Sequence, residues 1–483
     1  PCEPACRRTR VDGKAVAICR LKRVAADHKD DVSHRIPVAP VTKNGKRIAL
    51  IGAGPASLTV ANDLMPLGYQ CTVFEKGPSP GGLMRVNIPA FRLPEEVLDE
   101  EIGYITHMGV EMRYDTPVES LRALVDSKEY DGVFVGSGAP RGKELELPGR
   151  HDTDQIFIGI EWLESIHFGH VATVGKRVLI IGVGNTAMDC CRSAKRLGAT
   201  DVKVIGRKTR KYFKASTWEL EDAEEERVDI LENHSPVRFV VENGTLTGME
   251  FDRFTSREEH GKLVQEPAGR TIVPCDTVIL AIGQENAFPW IERDIGIEFD
   301  KWGLPVLDAA SFQSTVPNVF FGGDAAFGPK NIITAVAHGH EAAVSIDRFL
   351  NHEDVRQRPP PHVNLMSQKM GIHEWSYDNA ISDDARYKVP WANAEKALKS
   401  IKVEVELGFD LATAFKEAER CLNCDVQTVF SDKLCIECDA CVDICPMDCI
   451  TFTANGEEQE LRQRLKAPAT NLTQDLYVAD NLK

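Results

Sequence analysis

Cysteines near the C-terminus of the sequence have a spacing that suits iron–sulfur chemistry. Four of them form the run C-x2-C-x2-C-x3-C-P: Cys435, Cys438, Cys441 and Cys445. Thiolates at this spacing bind 4Fe–4S clusters, and the cysteine before proline ligates a second cluster in two-cluster ferredoxins. Cys421 and Cys424 are candidates to share that second cluster. A zinc site is the alternative, but four-cysteine zinc sites favour two separated C-x2-C pairs.

The number of cysteines leaves the number of clusters open. Seven cysteines lie between Cys421 and Cys449, too few for two four-cysteine clusters. Either one cluster is present, or one ligand is not cysteine, or further sequence supplies it. Near the N-terminus, Cys2 and Cys6 form a C-x3-C pair that Cys19 follows. Three thiolates are one short of a cluster, so cluster ligands and reduced cysteines in a small helical segment both stay open.

A stretch from Lys46 to Glu75 has the pattern of a dinucleotide-binding unit. A short apolar run, residues 48–51, predicts a buried strand, and small residues then form a turn and the start of a helix: Gly52, Gly54, Pro55 and Ala56. This turn brings the backbone and the positive helix N-terminus to a pyrophosphate. A second apolar run ends on Glu75, which is placed to accept hydrogen bonds from a ribose diol. The unit therefore predicts a bound dinucleotide.

The same order of strand, glycine turn, helix and strand returns in residues 175–210. Its turn and first helical residues are Gly182, Gly184, Asn185 and Thr186. The second strand of this copy ends at Arg207 and Lys208, close to Arg210, and not at an acid. Without the acid a ribose 2′-hydroxyl loses its partner, whereas the cations favour a 2′-phosphate, so we predict NADP(H) here. A solvated basic loop is the alternative.

Three further apolar strands end in glycine. They lead to Gly138, to Gly283, and to Gly323 followed by Asp324. Such strands are expected to return to the two sheets, and in open parallel sheets ligands bind at the carboxyl ends of the strands. These positions therefore join the candidate cofactor-binding residues. Cys190 and Cys191, on the helix of the second copy, are expected to be packing residues.

Over residues 1–350 the sequence resembles the small subunit of bacterial glutamate synthase and its relatives. These are FAD-dependent pyridine-nucleotide oxidoreductases, which include the bifurcating NADH-dependent ferredoxin:NADP oxidoreductase and the flavin half of dihydropyrimidine dehydrogenase. The shared motifs are PCEPAC at 1–6, GAGPAS at 52–57, GGLMRVNIPAFRLP at 81–94, GVGNTAMD at 182–189, AIGQ at 281–284 and GGDAAFGPKNIITAVAHG at 322–339. Together these motifs are highly specific.

The resemblance implies a role for particular residues. It implies contacts with FAD from Gly52, Gly54, Glu75, Gly82, Leu83, Arg92 and Asp324. For NADP(H) it implies contacts from Gly184, Asn185, Thr186, Arg207 and Lys208. It also implies that Cys2 and Cys6 are cluster ligands whose partners belong to a cysteine-rich N-terminal domain.

These elements predict an α/β protein with two Rossmann-like nucleotide-binding domains of the disulfide-reductase type. A small α-helical N-terminal segment and a C-terminal α+β ferredoxin-like domain complete the expected fold. The expected boundaries are 1–45 for the N-terminal segment, 46–150 with 285–350 for the FAD domain, 151–284 for the NAD(P) domain, 351–420 for a linker and helices, 421–453 for the iron–sulfur domain and 454–483 for a partner-docking tail.

Composition and charge exclude several classes of partner. The net charge of −16 and the pI near 5.4 argue against nucleic acid and anionic membranes. We find neither a run of 18 apolar residues nor a secretory signal, so no membrane span is expected and the cytoplasm is the expected location.

The combination of modules predicts an electron-transferring enzyme. NAD(P)H gives up electrons in pairs as hydride, a 4Fe–4S cluster takes one at a time, and a flavin does both. We therefore predict an NADPH-dependent FAD oxidoreductase that exchanges electrons with ferredoxin or an iron–sulfur catalytic subunit, in a hetero-oligomer and without a catalytic acid or base. Two alternatives are an electron-transfer subunit of a glutamate synthase or 2-oxoacid:ferredoxin oxidoreductase complex, and a flavin-based bifurcating enzyme.

Overall fold

The structure, a computed structural model, describes residues 2–259, 262–358 and 381–422. Within these ranges the chain forms two compact units. The larger unit comprises residues 30–358 and 390–407, and the smaller comprises residues 2–29, 381–389 and 408–422. The smaller unit thus combines stretches that the sequence analysis assigned separately, to an N-terminal segment and to a linker with helices.

The first sheet of the larger unit is entirely parallel. Its strands, numbered in chain order, are β1 (Arg47–Ile51), β2 (Gln70–Phe74), β3 (Glu111–Arg113), β4 (Gly132–Val135) and β15 (Val319–Phe321). They lie in the order β15-β4-β1-β2-β3, so that their carboxyl ends share one edge. Helices α4 (Pro55–Leu64) and α12 (Ile332–Leu350) pack against it in a core that contains Val60, Phe134 and Ile346.

The second sheet repeats this architecture. Its strands are β6 (Ile156–Ile158), β7 (Arg177–Ile181), β8 (Asp201–Ile205), β9 (Asp229–Leu231) and β13 (Thr277–Leu280), all parallel and in the order β6-β13-β7-β8-β9. Helices α8 (Gly159–His167), α9 (Asn185–Arg196) and α10 (Thr217–Glu225) pack against it. Cys190 and Cys191 are fully buried in this core, as expected of packing residues.

Two antiparallel elements accompany the parallel sheets. The strands β10 (His234–Glu242), β11 (Thr245–Glu259) and β12 (Lys262–Pro274) form one sheet, and Phe239 and Phe251 pack it against Leu179 and Ile205 of the second parallel sheet. A short ribbon pairs β5 (Arg141–Gly142) with β14 (Gln284–Glu285). Both ribbon strands lie where the chain passes between the two parallel sheets.

Short helices complete the larger unit. They are α5 (Leu83–Val86), α6 (Glu95–Thr106), α7 (Leu121–Asp126), α11 (Asp324–Phe327) and α13 (Ala394–Ala397). Helix α13 ends at Ala397, and Ile401 and Val403 pack beside Phe91 beyond the helix end. No helix of the described ranges is long and apolar enough to cross a membrane.

The smaller unit is helical and has a charged centre. Its helices are α1 (Cys2–Ala5), α2 (Thr9–Asp12), α3 (Ile18–Asp27) and α14 (Leu411–Glu419). The buried carboxylate of Glu417 accepts hydrogen bonds from the backbone N–H groups of Ala17, at 2.8 Å, and Tyr387, at 2.9 Å. Because these two groups lie on different stretches of the chain, one side chain ties three segments together.

Candidate functional site

The first glycine turn lies at the carboxyl end of β1. Gly52 has φ +88°, and a Cβ there would lie 2.9 Å from the carbonyl oxygen of Gly136. Only glycine is therefore compatible with the turn. Gly54 precedes α4 in an extended conformation, and Pro55 occupies the first helical turn, where its missing N–H costs no hydrogen bond.

Glu75, the last position of the predicted motif, lies against this turn. Its buried carboxylate accepts hydrogen bonds from the N–H of Ala53 at 2.7 Å and of Gly77 at 2.8 Å. These bonds fix the carboxylate at the same sheet edge as the turn. This is the position at which an acid meets a ribose diol in dinucleotide-binding folds.

Two distant glycines approach the start of α4. Gly82, with φ +54°, would place a Cβ 3.1 Å from the Cα of Gly54. Gly323, with φ +62°, would place one 3.1 Å from the Cβ of Ala56. Leu83 begins α5 directly after Gly82, and Gly138, with φ +70°, has open space at its Cβ position. The structure thus brings together turns separated by more than 200 residues at one helix N-terminus.

Asp324 follows Gly323 and begins α11. Its Oδ1 accepts a hydrogen bond from the N–H of Lys330 at 2.9 Å. Burial raises the pKa of Asp324, although the hydrogen bond from Lys330 opposes the shift. The side-chain carbonyl oxygen of Asn286 is buried without a partner in the described part of the chain, and its amide donates to the carbonyl of Asp324 at 3.0 Å. Sequence reasoning missed Asn286, because nothing in its local sequence marks it.

The two glycines of the second turn differ in backbone conformation and in surroundings. Gly182 has φ +128°, and a Cβ there would lie 2.1 Å from the carbonyl oxygen of Ala281. Gly184 has φ −100° at the start of α9, and no described protein atom lies within 4 Å of its Cβ position. Asn185 accepts a hydrogen bond from the N–H of Ser216 at 3.1 Å, while Thr186 lies half-buried in the first turn of α9.

The basic residues after β8 differ in their partners. Arg210 is bound by Glu224, with one contact at 2.8 Å. Lys208 lies with its Nζ 5.6 Å from the ring centroid of Tyr212. Arg207 is exposed, and within the described ranges its side chain has no ion pair. Arg207 and Lys208 thus stay available to an anion, whereas Arg210, which the sequence grouped with them, is neutralised.

Gly283 lies where the chain leaves the second sheet. It has φ +122°, and a Cβ there would lie 3.6 Å from Cδ of Lys143. The backbone N–H of Lys143 donates to the Gly283 carbonyl at 3.0 Å, next to the β5–β14 ribbon. Gly283 is therefore placed at the crossing between the two sheets.

Arg92 has partners that the resemblance does not imply. Its Nη1 donates to Oδ1 of Asp189 at 2.6 Å, and its Nη2 binds Glu219. Asp189 lies on α9 and Glu219 on α10, so both carboxylates belong to the second nucleotide-binding half. Burial raises the pKa of Asp189 to about 6, against the opposing charge of Arg92. Contact of Arg92 with FAD stays a prediction.

The cysteines of the described ranges do not form a metal site by themselves. Cys2 and Cys421 are exposed, and Cys6 is half-buried. No group of three or more His, Cys, Asp or Glu side chains in those ranges is arranged to hold a metal ion. The other predicted ligands lie outside the described residues: Cys424, Cys435, Cys438, Cys441 and Cys445. The iron–sulfur ligand set therefore stays a prediction.

Two parallel sheets, each with a glycine turn beneath a helix N-terminus, define the class of oxidoreductases with two dinucleotide-binding folds. A sequence profile of this class, the pyridine nucleotide-disulphide oxidoreductase family, matches residues 37–339. The chain therefore belongs to that family. The predicted pair of Rossmann-like domains and the predicted oxidoreductase function are confirmed by this match and by the relatives described next. The predicted ferredoxin-like domain lies almost entirely outside the described residues and stays a prediction.

Two named relatives match a larger part of the chain than the family profile does. The NADPH-Fe(3+) oxidoreductase subunit beta of Geobacter sulfurreducens is 34% identical over 466 residues, which cover 88% of this chain and 68% of that protein. The glutamate synthase (NADPH) small chain of Escherichia coli is 33% identical over 370 residues, with 72% and 78% covered. The resemblance to the glutamate synthase small subunit is thus confirmed. Both names are those of subunits.

A solved structure shares the fold at low sequence identity. Mycobacterium tuberculosis FprA in complex with NADPH is similar with a TM-score of 0.54 and 16% identity, over 65% of this chain and 87% of that chain. At this identity the similarity concerns the fold alone.

Proposed function

We propose that this chain is an NADPH-dependent flavoprotein subunit that exchanges electrons with an iron–sulfur protein. One observation carries the proposal: the chain has two dinucleotide-binding turns that differ at the end of the second strand. Glu75 follows the first, and Arg207 with Lys208 follows the second. The acid suits a free ribose diol, and the exposed cations suit a 2′-phosphate. The two halves are therefore assigned different dinucleotides.

FAD is assigned to the first half, residues 46–150 with 285–350. The glycines at 52, 54, 82 and 323 let several turns of the chain meet closely at the N-terminus of α4, where a pyrophosphate binds in dinucleotide-binding folds. Glu75, the proposed ribose ligand, is held in place by two backbone N–H groups. Asp324 and the unpaired oxygen of Asn286 supply polar groups at the same sheet edge. These features support a bound FAD.

NADPH is assigned to the second half, residues 151–284. The free space at Gly184 lets the backbone and the N-terminus of α9 approach a pyrophosphate. Arg207 and Lys208 then bind the 2′-phosphate. When bound, the two cofactors supply hydride transfer, and the protein contributes their placement and their electrostatic surroundings.

The partner is assigned from the C-terminal cysteines and the names of the relatives. A cluster held by a ferredoxin-type cysteine run transfers one electron at a time. We assign ferredoxin or an iron–sulfur catalytic subunit as the electron partner. Both relatives named above are subunits, which supports a permanent complex as the working form. A bifurcating enzyme is the second candidate, and it requires a second flavin.

An anaerobic titration of the purified protein with NADPH tests the proposal. We expect NADPH to bleach the flavin absorbance and NADH to do so less effectively. A flavin spectrum that neither nucleotide bleaches contradicts the proposed function. Equal or better bleaching by NADH contradicts only the assignment of the 2′-phosphate to Arg207 and Lys208.

The double variant Arg207→Ala, Lys208→Ala is expected to raise the KM for NADPH by about tenfold to about a hundredfold or more, because even one charge-assisted hydrogen bond to the 2′-phosphate contributes roughly 1.5–3 kcal/mol. The KM for NADH is expected to stay unchanged. Steady-state reduction of an artificial acceptor measures both constants. Arg177→Ala is the matched control, since Arg177 begins β7 and so lies at the opposite edge of the same sheet. An equal loss with NADPH and NADH excludes a 2′-phosphate contact.

A further inference from the structure

We infer that Arg92 is a positioning residue that fixes the orientation of the two nucleotide-binding halves for hydride transfer. The inference rests on the proposed function, in which FAD occupies the first half and NADPH the second. Arg92 lies ten residues after Gly82, in a segment of the first half. Its guanidinium contacts only groups of the second half among the described hydrogen bonds and ion pairs.

Loss of this contact is expected to be destabilising because both partners of Arg92 are buried carboxylates. The side chains of Asp189 and Glu219 are 8% and 4% exposed, so both carboxylates are almost fully removed from water. Buried carboxylates are stable only when paired. Asp189 and Glu219 raise the pKa of Arg92 even though burial opposes its charge, which keeps the guanidinium ionised. The ion pair therefore holds the two halves together with a defined geometry.

Asp189 connects this contact to the NADPH turn. It lies four residues after Asn185, about one helical turn into α9. Helix α9 begins at Gly184, where the pyrophosphate is assigned. The path from Gly82 through Arg92 to Asp189 thus links the two proposed cofactor turns through α5, the segment that follows it and one turn of α9.

A second hydrogen bond from the same segment reaches the second half. The side-chain amide of Asn87 donates to the carbonyl of Ile160 on α8 at 2.6 Å. Asn87 and Arg92 thus contact three different helices of the NADPH half, α8, α9 and α10. Contacts on separate helices restrict rotation between the halves more than one contact does.

Phe91 fixes the backbone next to Arg92. Its ring is fully buried, and the guanidinium of Arg196 lies 3.9 Å from the ring centroid. Cation–π contacts of this kind are favourable when desolvated. The N–H of Val405 donates to the Phe91 carbonyl at 3.0 Å, so the 390–407 segment covers the residue from the other side. The contacts of Phe91 therefore fix the backbone beside Arg92, in addition to the ion pairs of the Arg92 side chain.

Hydride transfer makes this orientation matter. The reacting atoms must approach to about 3–3.5 Å, and a misplacement of about 1 Å costs up to about a hundredfold in rate. Each half contains one of the two assigned cofactors, so the distance between the cofactors depends on how the halves are held. A weakened Arg92 contact is expected to lower the rate of the hydride step and to leave the binding of each cofactor intact.

Stopped-flow reduction of the FAD-loaded protein by NADPH tests the inference. We expect Arg92→Met and Asp189→Asn to lower the limiting rate constant about tenfold, with unchanged FAD content and an unchanged NADPH concentration at half-saturation. Arg92→Lys, which keeps the charge but not the two-pronged geometry, is expected to recover part of the rate. Arg122→Met is the control, because Arg122 forms an exposed ion pair with Asp294 inside the first half.

The outcomes separate the inference from the proposed function. If NADPH does not reduce the flavin of the wild type, the proposed function is contradicted. The inference is then tested by hydrogen exchange alone. It requires that the amides of residues 87–94 and of the first turn of α9 exchange faster in Arg92→Met than in the wild type. Wild-type rates in both Arg92→Met and Asp189→Asn overturn the inference. Loss of FAD from Arg92→Met, with normal rates in Asp189→Asn, identifies Arg92 as an FAD ligand instead. If Arg92→Met does not fold, the limiting rate constants of Arg92→Lys and Asp189→Asn test the inference.

Discussion

Arg420→Met is expected to lower the free energy of unfolding of the smaller unit by about 3–5 kcal/mol, the usual cost of breaking a buried ion pair from one side. Arg420 has a fully buried side chain and donates to the carboxylates of Asp12 at 2.9 Å and Glu417 at 2.8 Å. It also donates to the backbone carbonyl of Asp384 at 2.8 Å. Its removal deprives each of these three acceptors of one charged donor. Hydrogen exchange of the Ala17 and Tyr387 amides, followed against denaturant concentration, measures the change.

The control for this prediction is Arg10→Met. Arg10 lies on α2 of the same unit and is exposed, so its replacement is expected to change the free energy by no more than about 0.5 kcal/mol. The larger unit provides an internal reference, because the FAD content of Arg420→Met is expected to match that of the wild type. If the two variants unfold alike, Arg420 does not hold the smaller unit together.

The two glycine turns were predictable because their signal is local. Strand, turn and helix follow one another within about 20 residues, and each residue type reports a backbone requirement of its own position. The structure accordingly places Gly52, Gly182 and Glu75 where the pattern predicts them. The same holds for the helix starts at Pro55 and Asn185.

The contacts that join distant segments were not predictable in this way. Asp12 and Arg420 are 408 residues apart, and Arg92 and Asp189 are 97 apart. A single sequence gives the type of each residue but not its partner, and a buried arginine looks the same in sequence as an exposed one. Burial arises only when the sheets and helices are packed, so the smaller unit and the Arg92 contact required the structure.

Gly136 illustrates an intermediate case. A Cβ at this position would lie 2.2 Å from Oγ of Ser57, so the glycine is needed for close packing against α4. Gly138, the candidate cofactor-binding residue of the same run, has φ +70° and no described protein atom within 4 Å of its Cβ position, and its contact with a cofactor stays a prediction. The G-x-G-x-x-G pattern of dinucleotide-binding turns would place its third glycine at position 57, where this chain has Ser57. Gly136, directly after β4, leaves room for the serine side chain on α4.

Gly184→Ala is expected to leave the fold intact and to weaken NADPH binding about a hundredfold, or about 2.7 kcal/mol. Gly184 has φ −100°, which any residue adopts, and no described protein atom lies within 4 Å of its Cβ position. The added methyl group therefore meets the ligand and not the protein. Titration calorimetry with NADP+ measures the affinity, and thermal unfolding measures the stability.

Gly182→Ala is the matched comparison within the same turn. Its Cβ would lie 2.1 Å from the Ala281 carbonyl oxygen at φ +128°, so this variant is expected to lose stability as well as NADPH binding. In the structure the turn itself requires Gly182, whereas the free space at the Cβ position of Gly184 supports the proposed contact with the nucleotide. If Gly184→Ala binds NADP+ as tightly as the wild type, the pyrophosphate does not bind at this turn. The Arg92 inference would then lose its link to α9, because that link requires the nucleotide at the helix N-terminus.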